Sequence, residues 1–188
     1  PDISKENQVI VNVDVNRNTK VKVHKIYIEG NKVLSDNKLK RTMKKTNENG
    51  NILNIFKQKK FVDSDYADDK NRIIQKYNEL GYRDAKIVSD SVVKYNDDRV
   101  DVYIKVDEGK KYYISDISWV GNTIYSTDML QQVLDIYPGD VYNQKRLNKR
   151  TQDDEAAVSS LYLDNGYLFF QLVPIEENIK GDSIALQM

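Results

Sequence analysis

The sequence predicts an α+β protein built of tandem units, each running strand–helix–helix–strand–strand. Three observations carry that expectation. The first is an internal repeat: Ile26-Tyr-Ile-Glu-Gly30-Asn31 recurs as Ile117-Ser-Trp-Val-Gly121-Asn122 at an offset of 91 residues. A second block, Tyr77-Asn-Glu-Leu-Gly81-Tyr82, recurs as Tyr162-Leu-Asp-Asn-Gly166-Tyr167 at an offset of 85. The second observation is a hydrophobic period that changes inside each copy from two residues to the helical 3.6 and back. The third is punctuation, with Gly-Asn closing the first strand and Gly-Tyr closing the second helix. The fall in offset places an insertion in the first copy, and the polar run Asn47-Glu-Asn-Gly-Asn51 is its expected site.

Each element has its own signal. Val21–Glu29 alternates as a half-buried strand, and Gly30-Asn31 turns the chain. Ser35, and Ser126 or Thr127 in the second copy, stand as N-caps before short helices with Leu39 and Met43, or Leu130 and Leu134, at helical spacing. A second helix starts near Ser64, with Asp65, Asp68 and Asp69 read as acids at the positive end of its dipole. Ile73, Ile74, Tyr77 and Leu80 form its apolar stripe, and Gly81 is its left-handed cap. Leu147, Thr151, Val158, Leu161 and Tyr162 form the matching stripe, capped by Gly166. Strands follow at Ala85–Tyr95 and Arg99–Val106 around an Asn96-Asp97-Asp98 turn. Val9–Val15 aligns with Val100–Val106, and Asp182–Met188 with Asp98–Ile104. The expected organisation is residues 1–20 as the last strand of a preceding truncated unit plus linker, 21–109 as one unit, and 110–188 as a second whose final strand is cut short. Few residues are expected to cross the Val106–Tyr112 linker, which makes it a hinge.

Composition excludes most chemistry. The 188 residues carry 29 Lys+Arg against 29 Asp+Glu, so no net field draws the chain to nucleic acid. With 39% hydrophobic and 31% charged residues, the cores should be thin. The 13 tyrosines suit such cores, with rings inside and hydroxyls at the edge. No apolar run approaches the ~18 residues of a membrane span, and the polar opening Pro1-Asp-Ile-Ser-Lys5 does not read as a signal peptide. The absence of cysteine removes disulfides, zinc–thiolate sites and thiol catalysis. The single histidine, His24, has no nucleophile motif beside it and reads as structural or solvent-facing. Asp63-Ser-Asp65 with Asp68-Asp69 lacks the glycine and distal glutamate of a calcium loop. Lys38, Lys40, Arg41, Lys44 and Lys45, continued by Lys57, Lys59 and Lys60, read as a solvated face, the alternative being contact with anionic lipid or an acidic partner. No cofactor, metal or catalytic residue is expected, and the chain does not read as an enzyme.

The repeated order, with Gly30-Asn31, Gly81-Tyr82, Val106-Asp-Glu108-Gly109, Gly121-Asn122, Gly139-Asp-Val-Tyr142 and Gly166-Tyr167, resembles the polypeptide-transport-associated (POTRA) domain. The richer pattern is similar to the periplasmic part of BamA-type outer-membrane assembly factors, in a Lys/Asn/Tyr-rich dialect similar to Bacteroidetes versions. It departs at Arg17-Asn18, which stand where Glu108-Gly109 do, and the second copy does not reach that pair. The resemblance implies a three-stranded mixed sheet per unit with two helices on one face, the last strand central and the strand after the second helix on an edge. The insertion in the first copy suggests the third and fourth units of a five-unit array. The resemblance also implies periplasmic units carried by a C-terminal membrane barrel, with neighbouring POTRA units, unfolded outer-membrane proteins and accessory assembly lipoproteins as partners.

An edge strand presents unpaired backbone groups to which a client strand adds by β-augmentation. The expected client edge is Ala85, Lys86, Ile87, Val88, Ser89, Asp90, Ser91, Val92, Val93, Lys94 and Tyr95. A second edge is expected at Leu168, Phe169, Phe170, Gln171 and Leu172, blunted by Pro174. The alternatives are the POTRA region of a TamA-like or two-partner-secretion transporter, and a purely structural scaffold array.

Overall fold

The computed structural model describes residues 20–48 and 60–188. The Val9–Val15 strand, the end of the Asn47–Asn51 run, and Lys57 and Lys59 lie outside the described residues. The first unit comprises β1 (Lys22–Glu29), α1 (Asp36–Thr42), α2 (Asp63–Asn78), β2 (Lys86–Asn96) and β3 (Arg99–Asp107). The second comprises β4 (Tyr113–Ser118), α3 (Thr127–Leu134), α4 (Gln144–Asn148), a π turn at Lys149–Asp153, α5 (Val158–Leu163), β5 (Ile175–Lys180) and β6 (Ser183–Gln187). The sheets have the orders β1–β3–β2 and β4–β6–β5, with β1 and β4 parallel to the central strand and β2 and β5 antiparallel to it. The α+β class and the mixed sheets therefore follow the sequence expectation, the last strand of each unit being central.

Each sheet lays one face against its helices. Val23, Ile26 and Ile28 from β1 and Val102, Ile104 and Val106 from β3 meet Leu39, Met43, Ile73 and Tyr77 in one core. Ile114, Leu130, Leu134, Leu147, Val158, Tyr162, Ile184 and Leu186 build the other. Each fully buried aliphatic side chain contributes about 1.5–3 kcal/mol. Helix ends follow the glycines. Gly81 and Gly166 take φ of 92° and 88°, and Tyr82 and Tyr167 then donate N–H bonds back to the carbonyls of Tyr77 and Tyr162 at 3.0 and 3.1 Å. Ser126 caps α3 through its hydroxyl; Ser35 has the same extended backbone but makes no side-chain cap bond.

Two expectations change. Asp69 does not serve the helix dipole. It is fully buried and accepts N–H bonds from Lys44, Lys45 and Thr46 at 2.8, 3.0 and 2.6 Å, tying the chain after α1 to α2. Burial pushes its carboxyl up, but these donors and Arg72 outweigh that and hold it below the ordinary value. The second unit solves the same problem with opposite charge, Arg150 donating to the carbonyls of Val133 and Leu134 at the end of α3.

The other change concerns the second helix of the second unit, which is broken rather than continuous. Equivalent loop bonds, Phe61 N–H to Val21 and Tyr142 N–H to Tyr112, precede the helical segment in each unit. Gly81 stands twenty positions after Phe61, and Gly166 twenty-four after Tyr142. The four extra residues are absorbed by the π turn and by extended backbone at Asp154 and Ala157. Leu147, Thr151, Val158 and Tyr162 still face the core.

Candidate functional site

Strand β2 is the open edge of the first sheet. Its eleven residues pair only with β3, from Lys86 opposite Asp107 to Asn96 opposite Arg99. Register shifts at Val88 and Tyr95 bend its two ends. Between them Ser89–Lys94 pairs regularly, leaving the other side of the ladder unpaired among the described residues. Val88, Val92, Val93 and Tyr95 are exposed. On the outer sheet face Tyr95 stacks on His24 at 3.8 Å, and His24 Nδ1 lies 2.9 Å from Asp101. His24 thus packs between Tyr95 and Asp101, where its sequence context allowed either a structural or a solvent-facing place.

The opposite edge is closed. β1 bridges to Glu48 and Lys60, and the Glu48 carboxylate accepts the Ile26 N–H at 2.9 Å while pairing with Lys40 at 2.8 Å. In the second unit β4 is closed likewise, by a bridge to Val141 and by backbone bonds from Ile114 to Asp140 and from Gly139 to Ile114. The free edge there is β5, but it starts only at Ile175. Leu168, Phe169, Phe170, Gln171 and Leu172 are not an edge strand: they form a turn and an irregular segment. Phe170 N–H bonds back to Tyr167, Gln152 holds the Leu172 carbonyl at 2.6 Å, and Pro174 offers no N–H, so pairing begins after it. β5 is further limited by Asn178, whose φ of 47° accompanies a register shift. Ala85 closes a turn on Tyr82 and the paired strand starts at Lys86.

The repeated motif residues shape the scaffold. Gly30 has φ of 86°, and a Cβ there would stand 2.0 Å from the Val106 carbonyl oxygen. Asn31 and Asn122 each donate to a carbonyl three residues on (Leu34, Tyr125) and to a side-chain oxygen five residues on (Asp36, Thr127). Glu108 is buried and accepts the Val33 N–H at 2.8 Å and the Tyr77 hydroxyl at 3.0 Å. Gly109 packs its backbone on Asp84.

Sequence reasoning missed the joint between the units, and the expectation that few residues cross it does not hold. Tyr112 donates its N–H to Gly81 at 2.9 Å and its hydroxyl to Asp84 at 2.6 Å. Asn143 reaches the Glu79 carbonyl at 2.9 Å and Lys145 the Glu79 carboxylate at 2.8 Å. Arg83 and the Tyr142 hydroxyl converge on Glu176. The Tyr112 hydroxyl and Arg83 hold the Asp84 carboxyl below its ordinary value. Lys145 and Lys76 do the same for Glu79. Burial pushes Glu176 up, but Arg83 and Tyr142 outweigh it. Tyrosine hydroxyls here bind carboxylates at the joint rather than only reaching water. The one sequence signal was position: Arg83-Asp84 directly follows the Gly81-Tyr82 cap.

Comparison with known proteins agrees with this architecture. The POTRA family, described as a surface antigen variable number repeat, matches residues 21–109 and 112–187. The outer membrane protein assembly factor BamA of Neisseria meningitidis is 32% identical over 101 residues, covering 50% of this chain and 12% of that protein. BamA of Buchnera aphidicola is 25% identical over 146 residues, covering 77% of this chain and 24% of the relative. The chain thus spans a quarter or less of the length of these curated relatives. The crystal structure of Haemophilus influenzae BamA POTRA3-5 superposes with a TM-score of 0.65 at 20% identity, over 89% of this chain and 64% of that one. With both sheets, both glycine-capped helical segments and both motif sets in register, the chain belongs to the POTRA family.

Proposed function

We propose that this chain is the periplasmic POTRA portion of an outer-membrane protein assembly factor, and that its work is binding rather than catalysis. Unfolded outer-membrane proteins add a strand to the Ala85–Tyr95 edge, and the array also docks accessory lipoproteins. The observation that carries this reading is the asymmetry of the first sheet: an eleven-residue edge at β2 stands open while β1 is closed by Glu48 and Lys60. Backbone pairing along an edge tolerates many sequences, which a factor serving many clients requires. The names of the relatives, as outer-membrane assembly factors, support the setting. No helix among the described residues is long and apolar enough to cross a membrane.

The test is amide chemical-shift mapping of the chain titrated with a peptide from the last strand of an outer-membrane barrel protein. Shifts concentrated on Lys86–Asn96 and the facing turns of α2 are expected. The same peptide N-methylated at alternate amides should lose the effect, because it cannot donate into a ladder. Equal shifts with the methylated peptide, or none at millimolar concentration, would leave the scaffold reading ahead.

A further inference from the structure

The side chains along β2 make its open edge complementary to itself. Asp90, Val92 and Lys94 lie opposite Ile104, Val102 and Val100 of β3, which puts them on the helix side of the sheet. Lys70 of α2 reaches Asp90 at 2.9 Å, in agreement with that placement. Ser91 and Val93 lie opposite Tyr103 and Asp101 on the outer face. Val92 and Val93 are exposed by 39% and 49%. Lys94 pairs with Asp97 of its own turn, a solvent-exposed contact that is readily exchanged for another. One face of the strand therefore carries an acid and a base four positions apart, with a valine midway between them. A second copy that adds antiparallel about a two-fold axis normal to the sheet must place one residue opposite itself. With Asp90 or Lys94 on that axis, like charges meet. With Ser91 there Asp90 faces Val92, and with Val93 there Lys94 faces Val92. With Val92 on the axis, each Asp90 faces a Lys94 and the two Val92 side chains meet. Opposite charges and β-branched pairs directly across a ladder favour that register over the others.

We propose that β2 pairs with β2 of a second copy of this chain about a two-fold axis at Val92, so that the two open edges close each other. The product is a six-stranded sheet in the order β1–β3–β2–β2–β3–β1, with the helices of both first units on the same side. Two Asp90–Lys94 pairs flank the valine contact, and on the outer face Ser91 of each copy lies opposite Val93 of the other. The register shifts at Val88 and Tyr95 end the pairing on either side, which keeps the contact short and exchangeable. Self-pairing covers a long edge that would otherwise template unspecific strand addition. The pairing itself does not depend on the proposed function. One consequence does rest on that reading: a client strand and the second copy compete for the same backbone groups, and the self-paired sheet is the form of the edge without a client.

The test is sedimentation velocity on the 188-residue chain from micromolar to millimolar concentration, where a reversible dimer is expected. Asp90→Lys alone and Lys94→Asp alone each set like charges opposite one another twice, and each variant should stay monomeric. Mixed together, the two variants pair lysine with aspartate at both places and should dimerise, as should the chain carrying both substitutions. Protection of the β3 amides checks that the first unit stays folded in each variant. A second readout leaves the charges alone. The chain has no cysteine, so Val92→Cys under mild oxidation should link two copies. Ser91→Cys and Val93→Cys should not, because each stands diagonally from its own counterpart, roughly 7–8 Å away and past the reach of a disulfide. A native chain that stays monomeric at millimolar concentration, or single charge variants that remain folded and dimerise as well as it does, would overturn the proposal. So would Ser91→Cys linking as fast as Val92→Cys. A dimer that forms but is not dissociated by the barrel-strand peptide would refute client addition at β2 while the self-pairing stands.

Discussion

Gly30 and Gly121 occupy the same motif position with similar backbone, φ 86° and 79°, yet their surroundings differ completely. Gly30→Ala and Gly121→Ala therefore separate the cost of conformation from the cost of contact. An L-residue in this left-handed region costs roughly 1–2 kcal/mol in either unit. At Gly121 nothing else is met. At Gly30 the new Cβ would stand 2.0 Å from the Val106 carbonyl oxygen, where ordinary contact begins near 3.4 Å. The carbonyl must retreat by more than an ångström, and it belongs to the central strand whose Ile104 and Val106 fill the core. Overpacking of that kind adds roughly 1–3 kcal/mol. Gly30→Ala should thus cost about 2–5 kcal/mol, a large part of the stability of a small domain, and Gly121→Ala about 1–2 kcal/mol. Urea unfolding followed by Trp119 fluorescence reads the second unit, and amide exchange of β3 reads the first. Equal losses in the two variants would refute the account, since only the Val106 contact distinguishes them.

Two further outcomes follow from other groups. Asp69→Ala leaves three backbone donors without their acceptor, the Thr46 N–H in a buried residue, and should destabilise the first unit by about 3–5 kcal/mol in amide exchange of α2; Asp69→Asn keeps one acceptor and should lose less. The joint should loosen in acid before either unit unfolds. Glu79, Asp84 and Glu176 are held below their ordinary values of 4.5, 3.8 and 4.5, so their contribution is complete at neutral pH and is lost as pH falls below about 4.5 through the depressed values. Faster exchange of the Tyr112 amide and a larger radius of gyration are expected on acidification, with Arg83→Ala reproducing part of the change at pH 7. A Tyr112 amide equally protected at pH 7 and pH 3, with both units folded, would refute this.

The fold was readable because its signals are local and doubled. Strand alternation, capping glycines and the Gly-Asn turns depend on neighbours within a few residues, and each appears twice. What escaped depends on contacts across long separations. Asp69 looks like any acid near a helix start until the chain after α1, more than twenty residues earlier, is placed over it. Leu168–Leu172 has the apolar content of a strand, but the Gln152 contact and the delay imposed by Pro174 keep it irregular. The break in the second helix was hidden because an apolar stripe survives a four-residue insertion when the excess bulges outward. Beyond the position of Arg83-Asp84 after the Gly81-Tyr82 cap, the joint left no trace in the sequence, because Arg83, Glu176 and Tyr142 meet only once two sheets are built.

Joint and edge share a stretch of backbone. Asp84, bound by Tyr112, lies two residues before the first paired residue of β2. Arg83 links that corner to Glu176, the second residue of β5, so the beginnings of both free edge strands meet at one place. Exposed ion pairs alone hold little, and the Lys145–Glu79 contact belongs in that class. The Arg83–Glu176–Tyr142 cluster is partly shielded and shares one carboxylate between two donors, which restricts its geometry. In the strand-addition mode proposed above, a strand added along β2 would end against a corner held by contacts from the second unit. Under the strand-addition proposal, the same few residues that join the units would also set the register open to a client.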